Sequence, residues 1–157
     1  MDNVTLIRIV SGFLALGVFA GFIVVYVFYI LTLSRALNKC SVSSKTIQPG
    51  TLWILLIPLV NFVWNFIVVL GMAKSLGNEF RSRNVQGVEP EPGKSIGIAM
   101  AICAVCAVIP IVGIAAGLAH LVLWIVYWVK MADFSRKLDV SPSTAGVPLS
   151  PGIVGTP

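Results

Sequence analysis

Three stretches of this chain contain no Asp, Glu, Lys or Arg and are almost wholly apolar: residues 9–33, 51–73 and 95–129, which are 25, 23 and 35 residues long. A helix rises 1.5 Å per residue and the hydrocarbon core of a bilayer is about 30 Å thick, so the first run, about 37 Å as a helix, spans with tilt to spare. The chain as a whole is 57% hydrophobic and only 11% charged, where a soluble domain carries about a quarter charged residues. Mean hydropathy is +0.96. No water-soluble fold of 157 residues hides that much apolar surface, so the expected solvent is lipid. The net charge of +5 does not point to nucleic acid, because the Lys and Arg residues flank the apolar runs as membrane anchors do.

The amino-terminal segment MDNVTLIRIV has neither a basic leader nor a small-residue cleavage pattern. The run after it exceeds the 7–15 residues or so of a signal-peptide core, so a retained transmembrane helix is expected over 9–33. Tyr26 and Tyr29 stand towards its end, where amphipathic rings favour a membrane interface. Gly17 and Gly21 form a GxxxG notch that admits a second helix, in this chain or another.

A basic loop follows, carrying Arg35, Lys39 and Lys45 and closed by Pro49-Gly50. The second run has single-span length. Ala73, Leu76 and Phe80 recur at helical spacing beyond it, and Glu79 stands four residues before Arg83, a favourable pair. The third run, about 52 Å as one helix, is too long for a single pass. Pro110 and Gly113 divide it into 95–109 and 113–129, a tight hairpin. Trp124, Tyr127 and Trp128 before Lys130 read as an aromatic belt with a cationic stop, and Asp133 with Lys137 as another i,i+4 pair. The expected fold is therefore all-α: one membrane domain over 1–138, a helical bundle of four membrane segments at about 9–33, 51–73, 95–109 and 113–129. Residues 139–157, rich in Pro, Ser and Gly, read as a disordered tail.

The second run is the least ordinary. It contains IPLVNFVWNF, with Pro58, Asn61 and Asn65 inside an apolar segment, and IPIV recurs at 109–112. IPLV precedes MAKSLGNEFR and IPIV precedes MADFSRKL, a thin trace of internal repetition. Within a helix, proline collides with the carbonyl of Ile54 and frees it, and a free carbonyl in hydrocarbon costs several kcal/mol unless something satisfies it. Asn61 and Asn65 share a helical face and can supply that polar company. Two topologies follow. If 51–73 spans, the 34–50 loop with three Lys/Arg faces eight on the other side. If the chain turns back at Pro58–Asn61, only Arg8 lies opposite the other ten. Charge bias favours the re-entrant form; length favours the span, because eight residues before Pro58 reach only about 12 Å as an α-helix. The kinked span is the expectation here, and both forms put the C-terminus in the cytoplasm.

His120 is the one side chain inside a membrane run that titrates near neutral pH and so a functional candidate; its blander role is a hydrogen bond to another helix, through Asn61 or Asn65. Gly113 and Gly117 make a second GxxxG. Cys103 and Cys106 form CxxC, but apolar surroundings do not stabilise a thiolate and zinc needs more ligands than this pair, so they read as small packing thiols. No Asp or Glu falls within the runs, and there is no HExxH, nucleophile elbow or phosphate loop. Neither catalysis nor a cofactor or metal is expected.

Trp53, Ile57, Pro58, Asn61 and Trp64, with a final helix like LVLWIVYWVKMADFSRKL, resemble the marker of a group of small uncharacterised bacterial multi-pass membrane proteins, over residues 36–138 or so. That resemblance implies a bacterial membrane location and no known activity. The expected function is a non-enzymatic interaction or accessory component of the cytoplasmic membrane, whose partners are the bilayer and either its own copies or another membrane protein. The alternatives are a small channel or transporter using Asn61, Asn65 and His120, and a thiol-redox protein using Cys103 and Cys106.

Overall fold

The structure, a computed structural model, describes residues 2–141. All regular structure among them is helical: α1 (Asn3–Asn38), a 3-10 helix (Pro49–Leu56), α2 (Pro58–Ser82), α3 (Lys94–Cys106) and α4 (Gly113–Val140). Three of these helices are long and apolar enough to cross a membrane, namely α1, α2 from Leu59, and α4. That is the basis for an integral membrane protein. The fourth, α3, has only 13 residues. The expected tail is helical at its first two residues, since α4 runs to Val140; residues 142–157 lie outside the described part.

The run 51–73 is not one kinked helix. Ile57 is extended (φ −86°, ψ 108°) and separates the 3-10 helix from α2. Pro58 becomes the first residue of α2, where a missing N–H would have had no helical partner anyway. Ile57 O accepts the first bond of the new helix from Asn61 N at 2.9 Å, and Ile54 O is satisfied by Ile57 N at 3.0 Å. The collision foreseen for a mid-helix proline therefore does not arise.

From that break the chain doubles back. Trp64 Nε1 donates to Thr51 O at 2.9 Å, Ser75 Oγ accepts from Thr46 N at 2.8 Å, and Glu79 Oε2 accepts from Ser41 N at 2.8 Å. Each pair lies farther from Ile57 on both sides, as in an antiparallel hairpin. In one continuous helix Thr51 and Trp64 would stand about 20 Å apart. The length objection to a re-entrant path assumed α-helical rise. Residues 49–56 are 3-10, with about 2.0 Å per residue, and the loop before them already runs along α2.

The core joins Tyr29, Ile30, Leu33 and Leu37 of α1 to Leu52 and Leu55, to Val69, Met72 and Leu76 of α2, and to Met131 of α4. Its glycines are not the expected ones. A Cβ added at Gly17, Gly21 or Gly117 would meet nothing within 4 Å, and one at Gly113 would meet only Ala107 of its own turn. Close packing uses Gly97 instead, against Val69 and Tyr127, and Gly71, against Ile47. Residues 2–25 of the chain are exposed on every face.

The ends of α1, α2 and α4 are clasped together. Glu79, 1% exposed, accepts from Ser41 Oγ at 2.7 Å and from Arg83 Nε at 2.8 Å. The same guanidinium donates to Leu138 O, Ser141 O and Lys39 O. Lys39 Nζ reaches Asp139 at 2.7 Å and Ser135 O at 3.0 Å. Burial beside this cluster, aided by the Glu79 carboxylate, pushes the Cys40 thiol up to about 11, so it stays protonated. The expected Glu79–Arg83 and Asp133–Lys137 pairs are both present.

Candidate functional site

Doubling back at Ile57 turns the first two turns of α2 towards α1, α3 and α4. Between them lies a cavity of about 330 Å³. Asn61, Asn65 and His120 all line it, so the structure brings together polar residues that come from two separate apolar runs.

Asn61 reaches α1, its Nδ2 donating to Tyr26 Oη at 3.1 Å. Asn65 is 7% exposed, and its side chain makes no hydrogen bond within the described residues. His120 bonds neither asparagine. Its Nδ1 faces Met100 O of α3 at 2.9 Å; a carbonyl only accepts, so Nδ1 carries a proton, and in the neutral ring Nε2 keeps its lone pair. This pairing corrects the expected histidine–asparagine bond. Trp64 serves the hairpin rather than the cavity, by its bond to Thr51 O.

The walls are aromatic. Phe22, Tyr26, Tyr29, Phe62 and Trp124 all contribute. Tyr26 stacks on Trp124 (centroids 6.1 Å apart, planes 14° apart) and on Phe22 (5.9 Å, 21°). Tyr29 packs edgewise to Trp128, whose Nε1 donates to Thr32 Oγ1 at 2.9 Å. Two rings of the expected belts turn inward instead: Tyr29 and Tyr127 are each 1% exposed. Tyr29 Oη, Tyr127 Oη and Trp124 Nε1 are buried without a hydrogen-bond partner among the described residues.

Reading the sequence run by run missed Tyr26, Tyr29 and Trp124 as site residues. The available signal was a tyrosine hydroxyl within an apolar run, which needs a partner as much as an asparagine does. No carboxylate or thiol lines the cavity. Ala104 of α3 and Ala107, the residue that caps it, do, but Cys103 and Cys106, free and half-buried, do not. No group of three or more His, Cys, Asp or Glu among the described residues could hold a metal ion.

A scan against protein-family models found no match to this chain, and searches of curated proteins and of solved structures found none either. What the site does must be argued from its own chemistry.

Proposed function

We propose that this protein is a non-enzymatic accessory component of a bacterial cytoplasmic membrane that acts by binding inside the bilayer. The observation that carries the reading is the cavity itself: Asn61, Asn65 and His120 gathered from two apolar runs, with no acid, thiol or metal-ligand cluster beside them. Intramembrane polar residues are costly, and they usually mark a site when they face a shared cavity.

The arrangement has α1 crossing the bilayer, while 49–82 and 94–140 enter and leave from the same side. The clasp gathers the ends of three helices, and ten of the eleven Lys and Arg lie in or beside the segments it joins; Arg8 alone lies at the far end of α1. Cytoplasmic segments are enriched in Lys and Arg, so the clasp and C-terminus are cytoplasmic and the N-terminus is outside. The hairpin tips carry bare apolar side chains, Leu59 at 85% and Ile111 at 94% exposure, which suits lipid. The resemblance to small bacterial multi-pass proteins fits the same placement. The exposed amino-terminal half of α1, with its open Gly17–Gly21 notch, leaves a helix free for another membrane protein or a second copy.

A transport reading would use the same three polar residues. Proteoliposomes distinguish the two. Binding predicts flux of ions and small polar solutes no greater than in empty liposomes. Flux that disappears on Asn61→Leu combined with His120→Leu would replace binding by transport.

A further inference from the structure

From the chemistry of the cavity we infer that its occupant is a membrane quinone: a planar, uncharged ring with two opposed oxygens on an apolar chain. The inference rests on the binding role proposed above and names the ligand class for the same site.

Charge is the first constraint. No Lys, Arg, Asp or Glu lines the cavity, so a phosphate, carboxylate or ammonium group entering it would be desolvated without a counter-ion, at prohibitive cost. Shape is the second. The walls contain stacked ring pairs, Phe22–Tyr26 and Tyr26–Trp124, with planes 21° and 14° apart. Flat faces of this kind receive another flat ring by offset stacking. Size is the third: about 330 Å³ is at the low end for ligand pockets, enough for one substituted ring and the start of its chain, and too small for a whole lipid.

Hydrogen bonding is the deciding constraint. Asn65, 93% buried by its 7% exposure, has an amide without a partner among the described residues, and it lines the cavity. Tyr29 and Trp124 give ring faces to the same wall, while Tyr29 Oη and Trp124 Nε1 are sealed within the packing and do not reach the cavity. A buried amide left without a partner is costly, and a quinone carbonyl accepts from the Asn65 Nδ2. His120 presents the complement. With Nδ1 donating to Met100 O, Nε2 of the neutral ring is an acceptor, suited to the hydroxyl of the reduced ring. The chain of the ligand leaves past Phe19 and Ile23 of α1, which line the cavity and are themselves exposed to the lipid side.

The test uses the full chain in phosphatidylcholine nanodiscs, titrated with decylubiquinone while tryptophan fluorescence is followed. Quinones quench indoles on contact, and Trp124 is in the wall. The expected result is saturable quenching above that of simple partitioning. Trp124→Phe should remove most of the saturable part, while Trp53→Phe leaves its midpoint unchanged. Asn65→Leu should raise the apparent Kd about tenfold, the usual effect of one lost buried hydrogen bond. Should Asn65→Leu misfold by circular dichroism, Ala104→Leu, which fills the cavity from α3, should abolish saturation. Quenching that rises linearly without saturating overturns the site. Reversal of the saturable quenching by decanol at concentrations comparable with those of the decylubiquinone overturns the ring requirement while leaving the binding role intact; the flux assay above tests that role separately.

Discussion

At the scale of single residues, Asn61, Asn65 and His120 face one cavity, and Asn61 pairs with Tyr26 across it. Asn61→Leu should cost about 0.6–1.7 kcal/mol, the range for hydrogen bonds between membrane helices, and Tyr26→Phe a similar amount. Because the two groups bond each other, the double variant should cost clearly less than the sum in reversible detergent unfolding; strict additivity would show that they do not interact. That Asn61 and Asn65 needed shielding was legible from the sequence, since a polar group in hydrocarbon must find a partner. Which partner was not legible, because Tyr26 lies 35 residues from Asn61 and the register between their helices is set by packing. His120 illustrates the limit: its ring takes a backbone carbonyl, Met100 O, and any residue type can offer one.

At the scale of elements, glycine and charge both behave by context. Gly97 lets α3 sit against Val69 and Tyr127, so Gly97→Val should overpack the bundle and cost at least about 1–3 kcal/mol. Gly17→Val and Gly21→Val, at open positions, should leave the thermal midpoint of the isolated protein unchanged. The GxxxG spacing was visible in the sequence, but it says only that a notch exists and not that this chain fills it. The clasp gives a second contrast. Glu79 and Arg83 are 2% and 10% exposed along their side chains. Removing the cation by Arg83→Ala strands a buried carboxylate and should cost about 3–5 kcal/mol. Lys137→Ala breaks an exposed pair, Lys137–Asp133, and should cost less than about 1 kcal/mol. Equal losses in a chemical-denaturation series would contradict the buried clasp. The i,i+4 spacing foretold the Glu79–Arg83 pair but not its burial, which depends on Ser41 and the end of α4 closing over it.

At the scale of the whole molecule, two long-range tendencies competed. Segment length argued for a span at 51–73, and charge bias argued for re-entry. The hairpin at Ile57 is compatible with the charge-biased arrangement proposed above, because a proline that would break a mid-helix ladder is harmless at the start of a new helix. The IPLV and IPIV segments now have comparable places. Each lies at a hairpin tip, Pro58 opening α2 and Pro110 in the turn before α4, and each following helix runs to the clasp. Helix content and the α3–α4 hairpin were readable from run lengths and Pro110; the reversal at Ile57 was not, because 3-10 and α-helical rise give different reaches for the same eight residues.

The most direct test of that reversal labels single cysteines with a membrane-impermeant maleimide, in a background with Cys40, Cys103 and Cys106 replaced by alanine. With the chain doubled back at Ile57, Asn3→Cys should label only from the external face of the membrane and Ser43→Cys only from the cytoplasmic face. Labelling of Ser43→Cys from outside, with Asn3→Cys reached only from the cytoplasm, would mean that 51–73 crosses the bilayer after all.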